Sequence, residues 1–174
     1  MFKHINHRGG FTLIELLIVI AIIAILAGVA FVSLDPLSRL ADARDASRWT
    51  DVTALLSAIK IDQVDNGGYY IYGVNNFGSP AAATAADTNY MISNATTTTG
   101  CNASACSAVT AAANCVNLSG LTTEGYLGTL PVSPNGTGSW SQTLTGYYMS
   151  RNTNGSITIS ACESEGGTSV LVNR

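Results

Sequence analysis

Histidine is missing from this 174-residue chain after residue 7, His4 and His7 being the only two. The downstream residues therefore cannot run Ser-His-Asp or Cys-His catalysis, nor build a histidine-containing zinc site. Charge is scarce as well: 11% of residues are Asp, Glu, Lys or Arg, and the net charge is −3. So weak and negative a balance argues against general electrostatic affinity for nucleic acid. No Walker-type or dinucleotide-binding glycine pattern occurs. The acids that remain offer little chemistry. Asp42, Asp45 and Asp51 alternate with Arg39, Arg44 and Arg48, which reads as a solvated helix face. Glu163 and Glu165 precede a Gly166-Gly167 turn, and paired-carboxylate chemistry would need a pocket that no motif implies. These absences weigh against an enzyme, and no cofactor is expected.

What the chain does have is an unbroken apolar run over residues 16–32. If residues 11–34 are helical, about 20 residues at ~1.5 Å each cross a bilayer core of ~30 Å. Glu15 interrupts the greasy character near its start. An acid costs on the order of 2.5–3.5 kcal/mol at the membrane centre and less near the edge. Paired, it is tolerable; unpaired, it is strongly unfavourable. Lys3 and Arg8 precede the run, as in a secretory signal, yet Gly9-Gly10 sits before the apolar core and no Ala-x-Ala-like site follows it. A simple signal anchor with Glu15 at headgroup level is the plainer alternative.

The stretch Arg8-Gly9-Gly10-Phe11-Thr12-Leu13-Ile14-Glu15, running straight into an apolar helix, resembles the type IV prepilins and the related pseudopilins of type II secretion. The resemblance implies a leader over residues 1–10, cut between Gly10 and Phe11 by a membrane-bound prepilin peptidase, with N-methylation of Phe11. It implies that Glu15 meets the N-terminal amine of a neighbouring subunit during assembly. The implied partners are the peptidase, identical or related pilin subunits, an inner-membrane assembly platform and, before assembly, the lipid bilayer. The implied location is the bacterial inner membrane, single-pass with a cytoplasmic leader and extracytoplasmic head, and then a surface pilus or periplasmic pseudopilus. A filament subunit is the expected function. The alternatives are a secretion or competence pseudopilin, and a minor pilin acting as an adhesin or binding module. Losing Lys3 and Arg8 would leave six basic against eleven acidic residues, moving the net charge to −5. Some pseudopilins bind calcium through clustered Asp near their last strands. This chain has no Asp after Gly120, so no metal is expected. Many members carry a proline at the position matching Val32, where this chain has none, which leaves the place of any helix break open.

The fold expected is α+β: a long N-terminal helix whose second half packs on a small antiparallel sheet. The expected divisions are leader 1–10, membrane and filament-core helix 11–34, and a head over 35–174. Asp35-Pro36 is a good helix start or kink. Leu37, Leu40, Ala41, Trp49, Val52, Leu55, Leu56 and Ile59 follow helical spacing as a stripe to bury. Asn66-Gly67-Gly68 should stop the helix near Asp65. The segment Asp65-Asn66-Gly67-Gly68-Tyr69-Tyr70, and Tyr126-Leu127 with Leu130-Pro131, also resemble pilin segments. Residues 78–120, rich in Ala, Thr, Ser and Asn, read as an irregular loop with a short helix near 107–116. Three strands are expected near 146–150, 156–160 and 169–172, within a sheet region over about 140–174. Tyr148, Ile157, Ile159 and Leu171 should cover the helix stripe, and Trp140, Tyr147 and Tyr148 are expected in packing.

Cys101, Cys106, Cys115 and Cys162 all lie beyond the apolar helix, and an even number in an exported segment favours two disulfides. A zinc site would want tight Cys-x-x-Cys knuckles, which are absent. Spacing leaves three pairings open; the expected one joins Cys101 with Cys106 and Cys115 with Cys162. Asn-x-Ser/Thr triplets at Asn94, Asn102, Asn117, Asn135 and Asn154 are what chance supplies in so Asn/Ser/Thr-rich a chain.

Overall fold

The computed structural model describes residues 9–68, 87–94, 100–111, 113 and 115–174. The leader basics Lys3 and Arg8, the Tyr69-Tyr70 part of the pilin-like turn and the threonine run 96–99 lie outside the described residues. Two compact units divide the chain, Met1–Arg39 and Leu40–Arg174.

In the first unit, helix α1 covers Leu13–Leu34. Thr12 caps it: its Oγ1 accepts the Glu15 N–H at 3.3 Å, and Glu15 Oε2 accepts the Thr12 N–H at 2.8 Å. This reciprocal box satisfies two of the donors that a helix start leaves unpaired. None of the 22 residues of α1 is buried. The helix ends at Asp35, whose φ of 36° is left-handed, and α2 (Pro36–Asp65) starts at the next residue. Pro36 opens that helix, where its lack of an N–H does no harm.

In the second unit, α2 ends on the two glycines expected to end it. Gly67 and Gly68 have φ of 65° and 96°; the Gly68 N–H donates to Gln63 O at 2.7 Å and the Gly67 N–H to Val64 O at 3.3 Å. These are the paired bonds of a Schellman stop, and the positive φ suits glycine. The strands are β1 (Tyr90–Ser93), β2 (Cys115–Asn117), β3 (Tyr147–Arg151), β4 (Ile157–Ala161) and β5 (Leu171–Asn173), with a short α3 (Ser119–Thr123) after β2. They form one sheet of order β2-β1-β3-β4-β5. The architecture is α+β, with a sheet that is mixed where an antiparallel one was expected: β1 and β2 pair in parallel, and the other pairs are antiparallel.

Both unexpected strands, β1 and β2, come from the segment read as irregular loop, and among the described residues of 107–116 there are turns and the start of β2 in place of the expected helix. Each of these strands has only four or three residues. At that length, alternation cannot be told from noise.

The sheet is covered on both faces. Tyr147, Met149, Ile157 and Ile159 join Val52, Leu55 and Ile59 of α2, together with Ile92, Val116, Leu118 and Leu121. The other face carries Met91 and Tyr148 under Cys101, Cys106, Val109 and Trp140. Tyr148 therefore belongs to the opposite face from the one expected, and Leu171 is 44% exposed. The register explains this: Tyr148 pairs with Ser160, and Ser160 with Leu171, while Met149 pairs with Ile159, and Ile159 with Val172. Neighbours in register share a face, so a one-residue change of phase exchanges the sides. The helix stripe is corrected likewise. Leu37, Leu40 and Trp49 are exposed, and the α2 residues buried beside Val52, Leu55 and Ile59 include Asp45, Arg48 and Asp62.

Candidate functional site

Gly10 and Phe11 lie just ahead of α1, outside the helix, with Phe11 86% exposed. The start of α1 puts Glu15 in its first turn, and its carboxylate folds back over that start. Glu15 Oε2 takes the Thr12 hydroxyl at 2.7 Å in addition to the Thr12 N–H. A carboxylate here also suits the positive end of the helix dipole. Around it and beyond, Ile14, Leu16, Leu17, Ile18, Val19 and Ile20 are all at least half exposed, as are the large apolar residues onwards to Leu34. A 22-residue helix is ~33 Å long. It is therefore long and apolar enough to span a bilayer, and among the described residues none of its side chains is buried.

The second polar constellation joins residues that the sequence pattern leaves apart. Arg44, Asp45 and Arg48, read as part of a solvated face, close onto the turn carrying Glu163 and Glu165. Arg48 is fully buried. Its guanidinium donates to Asp45 Oδ1 at 2.6 Å, Glu165 Oε1 at 2.8 Å, Pro134 O at 3.0 Å, Ser133 Oγ at 3.1 Å and Glu163 Oε2 at 3.4 Å. Arg44 Nε donates to both Glu165 oxygens at 2.8 and 2.9 Å, and its Nη2 pairs with Glu165 as well. Asp45 accepts the Gly166 and Glu165 N–H groups at 2.6 and 2.9 Å. Glu163 accepts the Thr137 hydroxyl at 2.7 Å and the Gly138 N–H.

The electrostatics follow from these bonds. The Arg44 hydrogen bonds hold the Glu165 carboxyl at about 2, with Arg48 adding to them against the effect of burial. Burial by itself would raise Asp45, but the Gly166 N–H, Arg48 and the Glu165 N–H outweigh it and lower the group. Close by, the Tyr147 hydroxyl donates to Asp51 Oδ2 at 2.5 Å; burial first, and Asp51 second, push that phenol up. A cleft of about 340 Å³ does open beside Glu163 and Glu165, lined also by Ala105, Thr137, Cys162 and Ser164. Both carboxylates are already held by arginine, so the arrangement is a clamp between helix and turn. Among the described residues, no group of three or more His, Cys, Asp or Glu could hold a metal ion.

The four cysteines form two bridges, but not in the expected pairing. Cys101 joins Cys115 and Cys106 joins Cys162, with Cα separations of 5.5 and 4.8 Å. The crossed pairing fixes the 100–111 segment at two points on the outer face of the sheet, one beside β2 and one at the end of β4. A local loop between Cys101 and Cys106 would have left it tied only to itself.

No curated protein and no solved structure matches the chain. Residues 5–31 match the prokaryotic N-terminal methylation motif, a structural rather than enzymatic signature, and their span contains Gly10, Phe11, Thr12 and Glu15. Residues 5–31 thus carry the N-terminal signature of type IV pilin and pseudopilin precursors.

Proposed function

We propose that this protein is a structural subunit of a type IV pilus-like filament. It is made as a single-pass inner-membrane precursor, cut between Gly10 and Phe11 by a prepilin peptidase, methylated at Phe11, and assembled through α1. The observation that carries this reading is the methylation-motif match over residues 5–31. Cleavage there removes the basic leader and leaves Thr12, Glu15 and the whole of α1 on the mature chain.

Assembly exchanges lipid contact for protein contact, so the hydrophobic gain is small and packing must give the specificity. Ala21, Ala24, Ala27, Gly28 and Ala30 allow close approach between such helices. Glu15 supplies register. Among the described residues it uses Oε2 for its bonds to Thr12, which leaves Oε1 for the Phe11 amine of another subunit. Methylation keeps that amine cationic. The four cysteines, held as disulfides, suit a head exposed to an oxidising compartment.

Mass measurement of the mature N-terminus tests the reading directly: a chain beginning at methylated Phe11 is expected, and retained Met1 or a cut after Ala30 would overturn it. Glu15→Ala is expected to leave cleavage intact while abolishing normal incorporation into filaments; unchanged assembly would remove its pairing role. Imaging of material sheared from the cell surface separates a pilus from a short periplasmic pseudopilus.

A further inference from the structure

The residues between α1 and the first turn of α2 are built in an unusual way. Asp35 sits at φ 36°, a left-handed conformation that L-residues seldom adopt and that, among them, Asp and Asn tolerate best. Pro36 follows, and without an N–H it cannot continue the hydrogen-bond ladder of α1. The break is thus encoded twice, in adjacent residues. It also leaves the last carbonyls of α1 without partners in their own helix, and α1 has no basic residue in its last turn to serve them. The partner comes from beyond the break: Arg39 Nε donates to the Leu34 carbonyl at 3.2 Å. The Arg39 N–H reaches back to Asp35 O at 3.4 Å, so one residue holds the turn by both its backbone and its side chain.

We propose that residues 34–39 form a latched joint. Asp35 and Pro36 break the helix, and the Arg39 guanidinium on the Leu34 carbonyl fixes the break in one geometry. Leu34 is also where the apolar segment ends. The joint therefore lies at the point where the chain leaves the bilayer. This placement rests on reading residues 11–34 as the membrane span. Arg39 is a positioning residue here: it contacts no partner and acts through the backbone of α1.

The test uses the full chain in lipid nanodiscs, with spin labels on unnatural residues at positions 26 and 38 so that the four cysteines stay bridged. Twelve uninterrupted helical residues would separate these positions by ~18 Å. The unsubstituted joint should give a single narrow separation below that. Arg39→Ala should broaden the distribution at least about twofold, and Arg39→Lys, which restores one donor, should narrow it again in part. Asp35→Ala combined with Pro36→Ala should move a narrow distribution to ~18 Å. An Arg39→Ala distribution as narrow as the parent's, or a parent already at ~18 Å, would overturn the proposal. Processing is read separately by the mass of the N-terminus, and an uncut chain can still report a latched joint.

Discussion

Helix α1 has 22 residues, buries none of them, and carries a single acid whose partner is three residues away. Helix α2 has 30 residues and buries Asp45, Arg48 and Asp62 among its apolar side chains. The partners of Arg48 on the turn after β4 lie 115 and 117 positions further along the chain. In α1 the apolar surface faces outward and the charge is settled locally, as in a segment whose solvent is lipid or other helices. In the head a core of apolar side chains is buried within the chain, and the charges beside it are settled by long-range pairing. The contrast shows that two helices adjacent in sequence can settle their polar groups in two different ways, each suited to what surrounds it.

The largest test of that contrast is Arg48→Met. Removing the buried cation strands Asp45, Glu163 and Glu165 against each other, and breaking a buried pair from one side costs about 3–5 kcal/mol. Denaturant titration of the full chain in detergent, following the tyrosine and tryptophan signal of the head, should show that loss. A drop under about 1 kcal/mol would mean the clamp is no tighter than a surface pair.

The bridges should come next and differ from each other. Serine at both 106 and 162 opens a separation of 56 residues, and serine at both 101 and 115 one of 14. Chain entropy gives ~4 kcal/mol for the longer and ~3 for the shorter. Peptide mapping without reduction checks the pairing itself, since a Cys101-to-Cys106 link would contradict it.

The smallest effect is set by pH. A carboxyl held at about 2 in the folded chain, against about 4.3 unfolded, stabilises fully above the unfolded value. That contribution is lost as pH falls from there through about 2. Head stability should therefore be level down to about pH 4.5 and then decline. Glu165→Gln should lower the plateau and flatten the decline; an equally steep curve in that variant would assign the acid sensitivity elsewhere.

How much could be read beforehand follows from the range of each interaction. The length of α1, the stop at Gly67-Gly68 and the three last strands depend on residues within a few positions of one another, and all were legible; the Thr12–Glu15 cap is just as local but was not read, because Glu15 was assigned a partner in another subunit. Strands β1 and β2 were not, because segments of four and three residues become strands only when a neighbour pairs with them. The charge pattern of α2 misled for the same reason. Arg44, Asp45 and Arg48 look like a wet face in isolation, and only the turn bearing Glu163 and Glu165 makes that face an inside. Glu163 and Glu165, two residues apart ahead of a glycine pair, were the available signal, but sequence spacing does not say which helix they meet.

By itself the sequence determined the apolar helix, the position of its acid and the motif over residues 5–31, since hydrophobic periodicity and capping are properties of neighbouring residues. Tertiary structure alone decided the disulfide pairing, the face Tyr148 occupies, the parallel strand pair and the burial of Arg48. Each of these joins residues tens of positions apart, and the energy that selects among the possible partners exists only once the sheet has brought them together.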